Sequence, residues 1–426
     1  MRRVVVTGLG VVSPIGSGIE AFYHGLRSAR SGIGLICSFD ASTFPTRIAG
    51  EVKGGVPIPA WVTEPLRRAI YRDRKACFAV AAADQALADA FAGGHIASCH
   101  APDRIGTYFG AGLEIFHLDD LAPHVRGGEL DGRSLLASVR EAPVFSQMQI
   151  PSHLAASAIA AHAQAEGPLA VNVSACTAAA QAIGEACWAI QDDVVDVAIV
   201  GGYDSMVNPL GVGGFCMLEA LSRANHLGGA ASRPFDLNRD GFVLGEGSGV
   251  LILEELKAAR SRGARIYAEL LGYASSLDAY RVSDPDPSLL GAVSAMAQTL
   301  AWARLEPSEV DYINAHGTGT RKNDPLESRA IRQVFGSAAG RIPVSSTKSQ
   351  VGHLIGAAGA VELIACVFSL IEGVLPATIN LDTPDPECDL DYVPQQPRAK
   401  TVRTALSNSF GFGGQNACIA VGAVRR

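Results

Sequence analysis

Charge is what this sequence has least of. Only 18% of its 426 residues are Asp, Glu, Lys or Arg, against roughly 25% in an average soluble domain. With 48% of residues apolar, the chain can bury a large core, which excludes disorder as its main character. Division by about 150 residues per domain gives a first expectation of about three domains. The 35 basic and 42 acidic side chains leave a net charge of −7, which argues against a general nucleic-acid binder while leaving local basic patches open. The 46 glycines and 22 prolines follow no period, so collagen-like and low-complexity classes are excluded.

Paired cysteines are also missing. The nine cysteines are odd in number, scattered, and never spaced C-x-x-C, which excludes a disulfide framework and the common zinc and redox spacings. A reducing, cytoplasmic setting is expected, with at most one or two cysteines doing chemistry. No Gly-Lys-Ser/Thr phosphate loop occurs. Gly8-Leu-Gly10 follows an apolar strand but lacks the third glycine and the later acidic residue of a dinucleotide fingerprint. Nucleotide binding is therefore not expected. Arg2-Arg3 before Val4–Val6 is broken at once by Gly8, Gly10 and Pro14, so no signal peptide is expected. The most apolar window, Leu354 to Ile371, contains Gly356, Gly359 and Glu362 and reads as a buried helix rather than a membrane span.

What is present is an alternation of strands and helices. Arg3–Ser13 reads as a strand, Ala76–Ala92 as a helix, Arg104–Phe109 as a strand closed by Gly110-Ala-Gly112, and Pro151 to about Gln164 as a helix. Gly128–Ile150 is polar and aperiodic and reads as an irregular surface excursion. Leu169–Val173 and Asp196–Gly202 read as buried strands flanking a helix with Ile183, Cys187 and Ile190, a βαβ unit in a largely parallel sheet. Val310–Asn314, Ile342–Ser346 and Ala357–Ile371 repeat the scheme. The expectation is an α/β fold of two similar halves. Asp284–Pro287 and Thr383–Pro386 mark loops, not interdomain linkers.

Reactive residues fall where strands end. Cys176 stands between a strand and a helix among small residues (Ser174, Ala175, Ala178–Ala180), where unpaired N–H groups and the helix dipole favour a thiolate. His316 sits in Asn314-Ala-His-Gly-Thr-Gly-Thr320, and His353 is flanked by glycines in Lys348-Ser-Gln-Val-Gly-His-Leu-Ile-Gly356. Neither histidine has a ligand partner at i+3 or i+4, so a metal site is not expected. Lys348 is one of six lysines and precedes an apolar helix whose single charge is Glu362. A buried, ionised Glu there needs a partner. Ser409-Phe-Gly-Phe-Gly-Gly414 offers backbone N–H groups beside Phe410 and Phe412, as an oxyanion site next to an apolar channel would require.

Together, Ser174-Ala-Cys176-Thr, Leu210-Gly-Val-Gly-Gly-Phe215, Ser232–Asp236 with Arg239–Glu246, Asn314–Thr320, Ser346–Ser349 with Gly352-His353, Gly356–Glu362 and Ser407–Gly414 resemble, in order, the β-ketoacyl-acyl carrier protein synthases of the thiolase-like condensing enzymes. The resemblance spans residue 4 to about 420. It implies a layered α-β-α-β-α fold whose halves, 1–258 and 259–426, each carry a mixed five-stranded sheet within one compact unit. It implies an acyltransferase that condenses an acyl group on Cys176 with malonyl-carrier protein, losing CO2, in fatty-acid or type II polyketide elongation. By the resemblance, Cys176 is the nucleophile, His316 and His353 drive decarboxylation, and Lys348 and Glu362 support them. The N–H groups of Cys176 and Phe412 form an oxyanion hole, with Phe412 also a gate. Thr318 and Thr320 hold the phosphopantetheine arm, and Leu113, Phe215 and Phe410 fall along the acyl pocket and channel. No resident cofactor is implied, since phosphopantetheine arrives on the carrier. The implied partners are acyl carrier protein, its malonyl and acyl thioesters, and a second copy or a chain-length-factor homologue, with no nucleic acid and no membrane span.

Three departures bear on the subfamily, one being that the excursion Gly128–Ile150 is longer than the housekeeping pattern. The segments 316–324 and 386–394 look closer to polyketide-type and nodulation-type synthases than to housekeeping fatty-acid members, and Glu219 stands where many relatives place a docking arginine. Arg67, Arg68, Arg72, Arg74 and Lys75 form a candidate basic patch for an acidic carrier, or an ordinary solvated helix face. A non-catalytic chain-length partner is opposed by Cys176, His316 and His353. A degradative thiolase would need a second cysteine in the C-terminal glycine turn, and Cys418 lies beyond it.

Overall fold

The computed structural model describes residues 2–64, 66–91, 93, 95–114, 118–141 and 151–424. Ten strands form one twisted sheet: β1 (Val4–Ser13), β2 (Ile105–Ala111), β3 (Leu169–Asn172), β4 (Val197–Ser205), β5 (Glu246–Glu255), β6 (Ala268–Leu277), β7 (Tyr312–Asn314), β8 (Val344–Ser345), β9 (Thr404–Gly411) and β10 (Gln415–Gly422). Their spatial order is β8-β7-β9-β10-β6-β1-β5-β4-β2-β3, with the two-residue strand Gly16–Ser17 paired off β1. The middle junction is short: Val4, Val5 and Val6 pair with Leu270, Glu269 and Ala268.

On either side of that junction the topology repeats. In the first set β3, β2 and β4 are parallel, and β5 and β1 follow antiparallel. In the second, β8, β7 and β9 are parallel, and β10 and β6 follow antiparallel. The strands correspond one to one in chain order. The sheet is thus mixed, and the largely parallel sheet expected from the sequence is corrected: the βαβ units supply only the outer three strands of each set, and hairpin-like neighbours supply the rest.

Helix α1 (Arg74–Ala90) covers one face of the first set, α3 (Leu290–Ala303) covers the second set, and α2 (Ala178–Gln191) and α5 (Ala358–Glu372) lie between the two sets. This gives the α-β-α-β-α layering. A fifth helix, α4 (Asn323–Phe335), packs on α3. Strand β1 is buried along its whole length, as an apolar run covered on both faces must be. Gly10 has no room for a side chain, since a Cβ there would lie 1.9 Å from the Ala82 carbonyl oxygen. Gly8 and Gly10 are therefore packing positions under α1, which accounts for the near-match to a dinucleotide fingerprint. The window Ile355–Glu372 is 83% buried, the core helix that its glycines and Glu362 announced.

Three expectations change. Leu169 and Val173, expected inside, are 42% and 49% exposed, because β3 is the sheet edge and has only β2 beside it. The excursion Gly128–Ile150 is partly regular: Gly132–Glu141 is helical, its amphipathic repeat hidden in the sequence by polar neighbours, while 142–150 lie outside the described residues. The basic run is largely neutralised within the chain. Arg72 pairs with Asp120, Arg74 with Glu246 and the buried Lys75 with Asp73, because α1 enters the fold here and its first turn is drawn into the core.

Candidate active site

The ends of β3, β7, β8 and β9 converge between α2 and α5. Strand β3 leads into a 3-10 turn, Ala175–Thr177, and α2 starts at Ala178. Ala175 holds φ 51°, a left-handed conformation that costs a non-glycine residue of order 1 kcal/mol and is found preferentially at functional sites. It turns Cys176 into the interior, 3% exposed. Helices α2 and α5 meet closely: a Cβ on Gly359 would stand 2.9 Å from the Ala180 nitrogen. That contact carries the His353 turn onto Cys176.

The central contact is His353 Nε2 to Cys176 Sγ, 3.1 Å. The His316 and His353 ring centroids are 5.2 Å apart and nearly perpendicular. The Ile355 N–H donates to His353 Nδ1 at 3.2 Å. An imidazole nitrogen that accepts carries no proton, so neutral His353 holds its proton on Nε2, facing the cysteine. Both histidines are driven well below their ordinary value, first by burial and then by the Lys348 ammonium. They are neutral N–H donors at physiological pH.

Lys348 and Glu362 form a buried ion pair, 1% and 2% exposed. Burial lifts the Glu362 carboxyl to about 7 against the pull of Lys348. The partner required for Glu362 is therefore Lys348, delivered from the end of β8. Burial likewise pushes the Cys176 thiol up to about 12, opposed by Lys348 and the Phe412 N–H. The expected thiolate at a helix N-terminus is thus corrected. The helix begins two residues later, and the loss of solvent outweighs the favourable dipole.

Gly411 and Phe412 follow β9 and cross beside the cysteine, with a Cβ on Gly411 falling 3.2 Å from the Cys176 nitrogen. The Phe412 N–H reaches the sulfur. A cavity of about 320 Å³ opens here, lined by Cys176, His316, His353, Thr318, Thr320 and Phe410 among others. Thr318 and Thr320 hydroxyls are 3.0 Å apart at its wall. Phe215 stacks 6.3 Å from Phe412 and packs with Cys176 in one apolar cluster. Leu113 is 57% exposed and does not line this cavity. Strand β2 ends at Ala111, and Gly112 is pressed against Asp204, so the chain leaves the site before Leu113.

The ligand atoms of Cys176, His316 and His353 lie within 4.8 Å of one another, close enough to meet at one ion. The Lys348 charge that acts on all three opposes a second cation there. Sequence reasoning missed two neighbours. Glu327 on α4 accepts the N–H groups of His316 and Gly317, each at 2.8 Å, and Phe242 packs edge-on to His353 at 5.3 Å. The motif Arg239-Asp-Gly-Phe242 was legible as a segment, but not as a wall of the site.

The comparisons agree with this geometry. Residues 1–259 match the family model "Beta-ketoacyl synthase, N-terminal domain", and residues 267–382 match "Beta-ketoacyl synthase, C-terminal domain". The chain is 44% identical over 422 residues to 3-oxoacyl-[acyl-carrier-protein] synthase 2 of Synechocystis sp., covering 98% of this chain and 97% of the relative. Among solved structures it is similar to AntDE:AntF, a type II PKS acyl-carrier protein in complex with its ketosynthase (TM-score 0.84, 32% identity, 99% of this chain and 100% of that one). It is similar as well to the ishigamide ketosynthase/chain length factor (TM-score 0.85, 34% identity, 100% of each chain). A cysteine and two neutral imidazoles around one cavity, in a chain matched end to end by such relatives, mark it as a member of the β-ketoacyl synthase family.

Proposed function

We propose that the chain is a β-ketoacyl-[acyl-carrier-protein] synthase, an acyltransferase that elongates a fatty-acid or type II polyketide chain in two half-reactions on Cys176. The observation that carries this reading is the 3.1 Å contact of Cys176 Sγ with a histidine whose proton is fixed on the facing nitrogen. In the first half-reaction Sγ attacks the acyl thioester of a carrier protein. The acyl carbon–sulfur bond to the carrier breaks, and the thiol proton ends on the departing carrier sulfur. The Cys176 and Phe412 N–H groups stabilise the oxyanion formed on the way.

In the second, malonyl-carrier protein occupies the cavity. The bond to its carboxylate breaks, CO2 leaves, and the electron pair passes into a thioester enolate. The neutral imidazoles of His316 and His353 donate to the enolate oxygen, a task that protonation state and burial both suit. The enolate carbon attacks the acyl carbon on Cys176, and sulfur departs and recovers a proton from solvent. Lys348 and Glu362 act through the histidines: burial first and the ammonium second keep both imidazoles unprotonated, and the carboxylate balances the ammonium's charge. Thr318 and Thr320 suit the amide-bearing phosphopantetheine arm, Phe410 and Phe412 suit the channel, and Phe215 suits the acyl pocket. Leu113 belongs to that pocket only if a neighbouring chain closes it.

The two halves are assigned to 1–258 and 259–426, a division supported by the repeated strand order and the matched segments. A partner chain, either a second copy or a chain-length-factor homologue, suits the exposed edge strand β3 with Leu169 and Val173. The intact Cys176, His316 and His353 favour the catalytic member of such a pair. Cys418, buried inside β10, is unsuited to the second-cysteine role of a degradative thiolase. No resident cofactor is needed for these steps, and the unpaired cysteines suit the cytoplasm.

The test is intact-mass analysis of Cys176 after mixing with acyl-carrier proteins of graded chain length. The wild-type protein is expected to gain one acyl group per chain, and Cys176→Ala none. Full condensation by Cys176→Ala would overturn the assignment.

A further inference from the structure

Each imidazole of the site sits on a tight turn, and each turn is gripped by a buried carboxylate. For His316 the grip comes from the same half, through Glu327 and the two N–H groups described above. For His353 it comes from the other half. Asp204, at the end of β4, accepts the Gly356 N–H at 2.8 Å. Asp204 is fully buried, and its second oxygen, Oδ1, has no hydrogen-bond partner among the described residues. Gly112 accommodates it, since a Cβ on Gly112 would lie 2.0 Å from Oδ1. Burial lifts its carboxyl to about 7, opposed first by the Gly356 N–H and then by the Lys75 charge and the Ser205 N–H, and a carboxyl kept so far from water is costly.

The cost is matched by strain in what it holds. Between His353 and Gly356, Ile355 adopts φ 41°, a left-handed conformation strongly disfavoured for a β-branched residue. That conformation sends the chain on to the Gly356 N–H held by Asp204, while the Ile355 N–H of the same turn donates to His353 Nδ1, a bond that fixes the imidazole proton on Nε2. Released at Gly356, the turn can relax to an unstrained Ile355, and Nδ1 then loses its donor. The proton is then free to occupy either nitrogen, and only one tautomer faces Cys176.

We propose that Asp204 is a positioning residue for the reaction: by anchoring the Gly356 N–H it holds the His353–Gly356 turn in the strained form that keeps the His353 proton on Nε2. Which half-reaction suffers on its loss rests on the ketosynthase reading above. The tautomer itself does not.

The test uses the full chain, selectively 15N-labelled at histidine, with Asp204→Ala, which removes the acceptor, and Asp204→Asn, whose amide oxygen retains it. In the wild-type protein and Asp204→Asn the His353 ring nitrogens are expected to give distinct bare-Nδ1 and protonated-Nε2 shifts. In Asp204→Ala they are expected to move toward each other. Malonyl-carrier decarboxylation is expected to fall at least tenfold in Asp204→Ala and less than threefold in Asp204→Asn, with acylation of Cys176 slowed less than decarboxylation in both. Unchanged nitrogen shifts in Asp204→Ala would overturn the proposal. So would an equal loss of acylation, decarboxylation and melting temperature in both variants, since that is the mark of a merely structural carboxylate. If the wild-type protein neither takes an acyl group nor decarboxylates malonyl-carrier protein, the functional reading fails, while the nitrogen shifts still decide the role of Asp204.

Discussion

The two five-stranded sets use one wiring scheme and load it differently. In the first set, the strand that ends at Asn172 leads to a neutral thiol among alanines and then into α2. In the second, the corresponding strand, β8, leads to Lys348 and His353 and then into α5, with Glu362 inside the helix. Equivalent positions thus carry a nucleophile on one side and a cation with a hydrogen-bond donor on the other. Neither half holds a site by itself. The contact of Gly359 with Ala180 brings the two loads together, and the low charge content of the chain follows from burying both in five layers.

That contrast can be attacked from the second half first. His353→Ala and His316→Ala are expected to lower malonyl-carrier decarboxylation by about 10²–10⁴-fold, followed as CO2 release, while Cys176 still accepts an acyl group by mass. Loss of acylation equal to loss of decarboxylation would mean that the halves do not divide the labour.

The ion pair comes next. Lys348→Met leaves Glu362 buried without its counter-charge and is expected to cost about 3–5 kcal/mol in urea unfolding. A Lys348→Met/Glu362→Leu double variant should recover most of it. The pH dependence has a definite sign. A carboxyl lifted to about 7 in the folded chain is protonated there at pH values where the unfolded chain is already ionised, so stability is lost as pH rises. Removing Lys348 removes the opposing pull and lifts the carboxyl further, so the deficit of Lys348→Met should be level from pH 5 to about 7 and grow from there to pH 8. A deficit that shrinks over that range would break the account.

The seam between halves predicts a smaller effect. Gly359→Val forces methyl groups into the α2–α5 contact and is expected to lose about 1–3 kcal/mol, with the urea midpoint falling and Cys176 acylation falling with it. Last, a thiol pushed to about 12 should react with iodoacetamide at a rate that climbs about tenfold per pH unit from 7 to 9 without levelling. A rate already level from pH 7 to 9, the mark of a thiol titrating below about 7.5, would restore the thiolate expected from the helix N-terminus.

The reactive residues were legible because they are the wrong types for their surroundings. Cys176 among alanines, histidines between glycines, and one Glu in an apolar helix each depart from what packing alone would choose. The helices α1 and α5 were legible from periodicity. What was hidden depended on neighbours distant in the chain. Edge and centre strands share an apolar pattern, so Leu169–Val173 looked buried. Arg72 and Arg74 looked like a solvated face because their partners, Asp120 and Glu246, are far away in sequence. Glu327 and Asp204 carry no motif, since their task is to accept backbone N–H groups, which any acid at that point in space can do.

The sequence by itself determined the cast: the cysteine, the two histidines, the Lys–Glu charges, the glycine turns, and two similar α/β halves. Tertiary structure alone decided their states. Burial made the thiol and both imidazoles neutral, pairing held Lys348 against Glu362, and a single backbone bond to Nδ1 fixed the proton of His353 on the nitrogen facing Cys176. The physical reason is that residue type sets which protonation states are available, while solvent exclusion and hydrogen bonds from remote segments select among them.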